Sequence, residues 1–65
     1  MDENALLCFV NRHSMVVKRA RTAESCTESV RCLQWVIGSQ SIPIMMRLRA
    51  ERVIDSFNAR FGEKQ

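Results

Sequence analysis

The histidine and cysteine side chains of this sequence are four possible zinc ligands: Cys8, His13, Cys26 and Cys32. A structural zinc site usually contains ligands paired at short spacing, such as C-x2-C, because each pair fixes two coordination positions locally. Cys26 and Cys32 are six positions apart, so on one continuous helix their side chains point in different directions. Cys26 shares a face with apolar residues, where a free cysteine behaves as a small hydrophobic side chain. The sequence therefore predicts free thiols and no metal.

The chain offers little for catalysis. A reaction site needs a nucleophile, a base and an orienting group held together, and His13 is the single histidine among 65 residues. No aspartate or glutamate has a spacing in the sequence that would place it beside His13. So short a chain also leaves little room for a pocket. This histidine is in line with Leu6, Val10 and Val17, so we interpret it as a partly buried packing residue. The prediction is a non-enzymatic protein without a cofactor.

Positive charge is the next chemical feature. The net charge is +3 and the isoelectric point is near 9.1, values that permit an acidic partner such as nucleic acid without requiring one. The candidate basic patch consists of Arg12, Lys18, Arg19, Arg21, Arg47 and Arg49. Such runs are more often solvated helix ends than phosphate contacts, so nucleic acid is a possible partner that the sequence does not favour.

Residues 35–57, "WVIGSQSIPIMMRLRAERVIDSF", resemble two helices that meet at a glycine elbow. A DNA-reading helix-turn-helix has this outline, with its second helix in the major groove. The predicted second helix instead presents Ile44 and Met45 near its start, and the long polar Gln34 stands where close helix packing needs a small residue. The pattern favours an ordinary pair of packed helices, and a small helix-turn-helix-like DNA-binding regulator is the alternative function.

The elements that must position these residues are predicted to be all-α. Three short helices are expected over about 2–21, 25–37 and 43–61, the last two forming a C-terminal helical hairpin. An alternative is an N-terminal β-hairpin followed by two helices, because "ALLCFV" and "MVV" flank the polar "NRHS". Helix versus hairpin for residues 5–17 is left open by the pattern.

Residues typical of helix ends support these boundaries. Asp2 supplies a capping group and negative charge at the start of the first helix. Ser25 with Glu28 three positions later forms a capping-box pattern before the second helix. Gly38 is expected to stop that helix, and Pro43 fits the first turn of the third.

The third helix is predicted to have two apolar faces. Phe57 and Phe61 are expected to anchor the core together with Val53 and Leu33, within a stripe formed by Met46, Ala50, Val53, Ile54, Phe57 and Phe61. Trp35 is interpreted as a core or interface anchor. Three short helices cannot bury apolar side chains on both faces among themselves, and exposed apolar patches usually mark partners. The sequence therefore predicts a homodimer or partner interface formed by Phe9, Val16, Ile44, Met45 and Leu48.

Length and cysteine usage predict the class of protein. Residues 1–65 are expected to form a single small helical domain, and small scaffolds usually need a disulfide, a metal or a partner chain for stability. Three cysteines are an odd number, which favours a reducing cytoplasm. The acidic start and the short apolar run over residues 5–10 are unlike a signal peptide or a membrane span. A second copy of the chain is the simplest stabilising partner.

The chain resembles the small orphan accessory proteins from the early regions of lambdoid temperate phages, such as the exo-xis region. The resemblance rests on the short length, the mildly basic charge, the free cysteines and the segment "TESVRCLQWVIGSQSIPIMMRLRAERVIDSFNARF". It implies an accessory protein of phage development that acts on an unidentified host or phage macromolecule in a bacterial cytoplasm. It implies no site residues.

Overall fold

A computed structural model describes residues 2–62. They form α1 (Glu3–Arg19), a short 3-10 turn (Glu24–Cys26), α2 (Thr27–Gly38) and α3 (Ile44–Phe61). The all-α prediction is confirmed over this part of the chain, which contains no strand. The predicted domain 1–65 includes four residues, 1 and 63–65, that lie outside the described range.

Residues 5–17, for which the sequence left helix and β-hairpin open, belong to the first helix. The Asp2 carboxylate accepts a hydrogen bond of 2.8 Å from the Ala5 N–H, which satisfies one of the free donors at the helix start. Leu6, Val10 and Val17 are buried along one face, as a helical period of 3.6 residues requires. A hairpin would send alternate residues to opposite faces, so the alternative of an N-terminal β-hairpin is wrong for these residues.

The start of α2 differs from the predicted capping box. The Ser25 side chain caps nothing in α2; its hydroxyl donates to the Thr22 carbonyl oxygen at 2.8 Å. The Thr22 hydroxyl oxygen in turn accepts from the Ser25 N–H at 3.2 Å. The chain therefore enters the helix through a 3-10 turn, and α2 begins at Thr27 instead of near residue 25.

Hydrogen bonds from side chains to the backbone stabilise the connection between α2 and α3. Gly38 is the last residue of α2, which ends one position later than the predicted 37. The Ser39 hydroxyl donates to the Trp35 carbonyl oxygen at 2.8 Å. Pro43 lies one position before α3 instead of inside its first turn. Arg47 Nε donates to the Ile42 carbonyl oxygen at 3.1 Å, which ties the first turn of α3 to the loop that precedes it.

Contacts near the helix ends give the direction of each helix. Phe9 of α1 stacks edge-on against Trp35, near the end of α2, whereas His13 bonds Ser29, near its beginning, so α1 and α2 are antiparallel. Arg60, at the end of α3, reaches the carbonyl oxygens at the end of α1. The end of α1 therefore lies beside the end of α3, and α2 runs opposite to both.

The three helices bury one shared core. Leu33 is fully buried, and the other core side chains are Leu6, Val10, Val17, Ala20, Cys26, Val36, Ile42, Ala50, Val53 and Ile54. Phe57 packs against this core but is only half-buried, and Phe61 stacks on it with ring centroids 5.4 Å apart. The two phenylalanines thus lie at the rim of the core, and the smaller Leu33 occupies its centre.

Two buried serines provide a matched test of polar burial. Ser14 and Ser29 are 6% and 5% exposed. Among residues 2–62 the Ser14 hydroxyl has no hydrogen-bond partner, whereas the Ser29 hydroxyl bonds His13 Nδ1 at 2.8 Å. An unpaired buried hydroxyl costs about 1–3 kcal/mol. Ser14→Ala should therefore stabilise the fold by about 1 kcal/mol, whereas Ser29→Ala should destabilise it by about as much. Urea unfolding followed by circular dichroism measures both changes in the free energy of unfolding. The two variants are matched because each gains the same helix propensity when serine becomes alanine. Equal shifts would show that hydrogen bonding does not distinguish the two sites.

Candidate partner-binding surface

The outer face of α3 carries three large apolar side chains in contact with solvent. Ile44, Met45 and Leu48 are 54%, 71% and 45% exposed. On the opposite side of the same helix, Ala50 and Val53 are buried in the core. The two apolar faces predicted for this helix are both present, and residues 2–62 cover only one of them.

Charged residues surround this apolar group. Met45 and Leu48 line an open groove between α3 and Lys18 near the end of α1. The groove continues along α3 past two further cations and two carboxylates, contributed by Arg49, Arg52, Glu51 and Asp55. Apolar contact and both signs of charge are therefore available on one continuous surface, which is the composition expected of a protein-binding surface with a polar rim.

Phe9 belongs to a different surface. Its ring lies edge-on to Trp35 with centroids 6.1 Å apart and to His13 at 4.7 Å, in the seam between α1 and α2. Val16 is two helical turns further along the same side of α1 and is 41% exposed. Trp35 is 54% exposed and so is not a core residue. The predicted interface residues therefore divide into an α3 group and a group at the α1–α2 seam.

The six residues of the candidate basic patch are not brought together. Arg12 and Arg19 are exposed on α1, and Arg21 lies in the connection that follows it. Lys18 and Arg49 line the α3 groove. The remaining member, Arg47, is half-buried and bonded to the Ile42 carbonyl oxygen.

The four candidate zinc ligands also occupy different environments. Cys8 is exposed, Cys32 is half-buried and Cys26 is buried, with its thiol near the Thr22 and Ala23 carbonyl oxygens. His13 bonds Ser29 and is half-buried, as its alignment with the apolar face predicted. Among residues 2–62, no group of three or more histidine, cysteine or acidic side chains is placed to hold a metal ion.

Arg60 has a structural role that the sequence analysis did not identify. Its guanidinium donates to the carbonyl oxygens of Val17 at 3.0 Å, Lys18 at 3.3 Å and Ala20. These carbonyls lie at the C-terminal end of α1, where positive charge is favoured, and the Val17 carbonyl oxygen also accepts a backbone hydrogen bond from the Ala20 N–H. The only signal in the sequence was an arginine near the end of the last helix, which is common and unspecific.

No family model, curated protein or solved structure matches this chain. In the described part of the chain, none of the helices combines the length and the apolar character that a membrane crossing requires.

Proposed function

We propose that this chain is a non-enzymatic helical interaction protein that forms a homodimer and regulates another protein by binding it. The observation that supports the proposal most directly is the second apolar face of α3, where Ile44, Met45 and Leu48 are exposed opposite the core. The α2–α3 helical hairpin presents this face outward. Burial of one such side chain is worth about 1.5–3 kcal/mol, so covering three of them favours association strongly.

Dimerisation would also add to the stability of so small a chain. A domain of this size buries a smaller fraction of its surface than a larger one does, and its three cysteines are free. A C2 dimer uses one patch twice, so the three apolar side chains become six at the interface. The second copy would then add buried apolar surface to the core that the single chain already forms.

The seam between α1 and α2 offers a separate surface for the regulated protein. The exposed Trp35 packs there against the half-buried Phe9, with Val16 exposed along the same side of α1. Tryptophan is enriched among the residues that contribute most to protein-protein binding. The resemblance to phage early-region proteins suggests that this partner is a host or phage protein and that the setting is a bacterial cytoplasm.

The experiment that tests the proposal is sedimentation of the unmodified protein from the low to the high micromolar range. We expect a concentration-dependent shift from 7.5 kDa to twice that mass. The melting temperature should rise with concentration as well, because association stabilises the folded state by mass action. A monomer throughout this range, with a constant melting temperature, would contradict the homodimer.

One observation keeps DNA binding as the second candidate function. Lys18, Arg49 and Arg52 line the same groove, and cations brought together can contact phosphates. Titration of duplex DNA at two salt concentrations separates the candidates, because phosphate binding weakens steeply as salt rises. An absence of binding even at low salt would eliminate DNA and leave the protein-binding function.

A further inference from the structure

A cleft of about 360 Å³ opens where the seam between α1 and α2 meets the loop that leads into α3. Its volume falls within the range of about 300–1,000 Å³ that is typical of ligand-binding sites. The buried Leu6 and Ile42 form its floor, and the exposed Trp35 forms one wall. The remaining lining residues are Glu3, Ser41 and Pro43. An aromatic surface and a carboxylate therefore border the same cleft.

Hydrogen bonds hold the loop side of this cleft in place. The Ser39 hydroxyl donates to the Trp35 carbonyl oxygen at 2.8 Å, and the Ile42 N–H donates to the Ser39 carbonyl oxygen at 3.2 Å. The Ile42 carbonyl oxygen in turn accepts from Arg47 Nε at 3.1 Å. The cleft is therefore formed before any partner arrives, which lowers the entropic cost of binding.

The charge at the cleft is negative. Among residues 2–62, Glu3 is the one charged side chain that lines it, and Glu3 is exposed. The start of α1 contributes roughly half a positive charge through the helix dipole, but Asp2 caps that end and adds a second carboxylate beside Glu3. Arg47 is bonded to the loop and does not line the cleft. The site therefore favours a cation although the chain as a whole has a net charge of +3.

We propose that this cleft binds an arginine side chain of the regulated protein, with the guanidinium stacked on the Trp35 indole and paired with the Glu3 carboxylate. Tryptophan is the aromatic side chain that attracts cations most strongly, and the planar guanidinium can stack on a ring and donate to a carboxylate. The methylene groups of the arginine then cover the apolar floor. The same carboxylate would repel a phosphate group. This inference rests on the proposed binding of another protein and identifies the side chain that its docking segment must present.

Titration with short peptides tests the proposal. The chain contains one tryptophan, so its indole N–H gives a single signal in a nitrogen–proton correlation spectrum, and the Ile42 amide gives a second signal from the cleft. The probes are an acetylated Ala-Arg-Ala amide and its analogues with citrulline or leucine in place of arginine. We expect the arginine peptide to shift both signals with a Kd in the millimolar range. The citrulline peptide keeps the shape without the charge and should bind about tenfold more weakly, since it loses the cation–π contact and the ion pair.

Glu3→Gln should weaken the binding of the arginine peptide about threefold, the effect of removing one exposed ion pair. Glu28→Gln is the matched control. Both glutamates lie in the first turn of a helix, but Glu28 does not line the cleft, so its substitution should leave the Kd unaltered. Circular dichroism verifies that both variants keep the helical fold.

Equal binding of the arginine and citrulline peptides would overturn the proposal, as would tighter binding of the leucine peptide. Signals of Trp35 and Ile42 that do not move with the arginine peptide at tens of millimolar would overturn it as well. Met45 and Leu48 do not line this cleft, so these results leave the homodimer on α3 untouched. A chain that remains monomeric in sedimentation but binds the arginine peptide would refute the homodimer and support the cleft.

Discussion

Leu33→Ala is expected to destabilise this domain by about 2–5 kcal/mol, the range for a leucine truncated in a well-packed core. Leu33 is 0% exposed, so the substitution leaves a buried cavity that solvent does not reach. The free energy of unfolding for 65 residues is about 3–10 kcal/mol at typical values per residue. The substitution therefore removes a large part of the total stability, and a substantial fraction of the variant should be unfolded near physiological temperature.

Urea unfolding at a fixed protein concentration measures this loss, because association would otherwise change the midpoint. Phe57→Ala is the comparison. It removes more atoms, but Phe57 is half-buried at the rim, so its cost should be smaller, about 2 kcal/mol. A greater loss for Phe57 than for Leu33 would place the centre of the core on α3, as the sequence alone suggested.

Met45→Glu is expected to convert the dimer largely to monomer. In the proposed interface the methionine is covered by the second copy, and a glutamate there must lose its hydration or keep the interface open. One substitution changes two symmetric sites. A loss of about 1.5 kcal/mol at each site corresponds to a Kd about a hundredfold higher. Leu48→Glu should act in the same direction.

Met15→Glu is the matched control for this substitution. Met15 is 47% exposed on α1 and does not line the α3 groove, so the same chemical change should leave self-association intact. Sedimentation and the concentration dependence of the melting temperature report the outcome. Equal losses for Met15 and Met45 would point to a general effect of added negative charge, and the interface would then not be located on α3.

Local pattern and composition were sufficient to predict several features. Apolar spacing predicted three helices, with ends within about two residues of those observed, a usual margin at helix ends. Asp2 caps α1 as its type and position indicate. The surplus of apolar residues on α3 followed from helical periodicity alone, because a residue's direction around a helix depends only on its place in the chain. Ile44, Met45 and Leu48 were therefore identified as surface residues without knowledge of the packing.

Only the tertiary structure decided which neighbours each side chain meets. Phe9 was grouped with the α3 residues by its apolar character, but the antiparallel packing of α1 on α2 places it against Trp35. Arg60 bonds carbonyl oxygens about forty positions earlier in the chain, a contact that no local pattern encodes. Ser14 and Ser29 are similar in the sequence, yet only Ser29 faces a partner. The physical reason is common to all three: helical period fixes the direction of a side chain, whereas the packing of helices determines what lies in that direction.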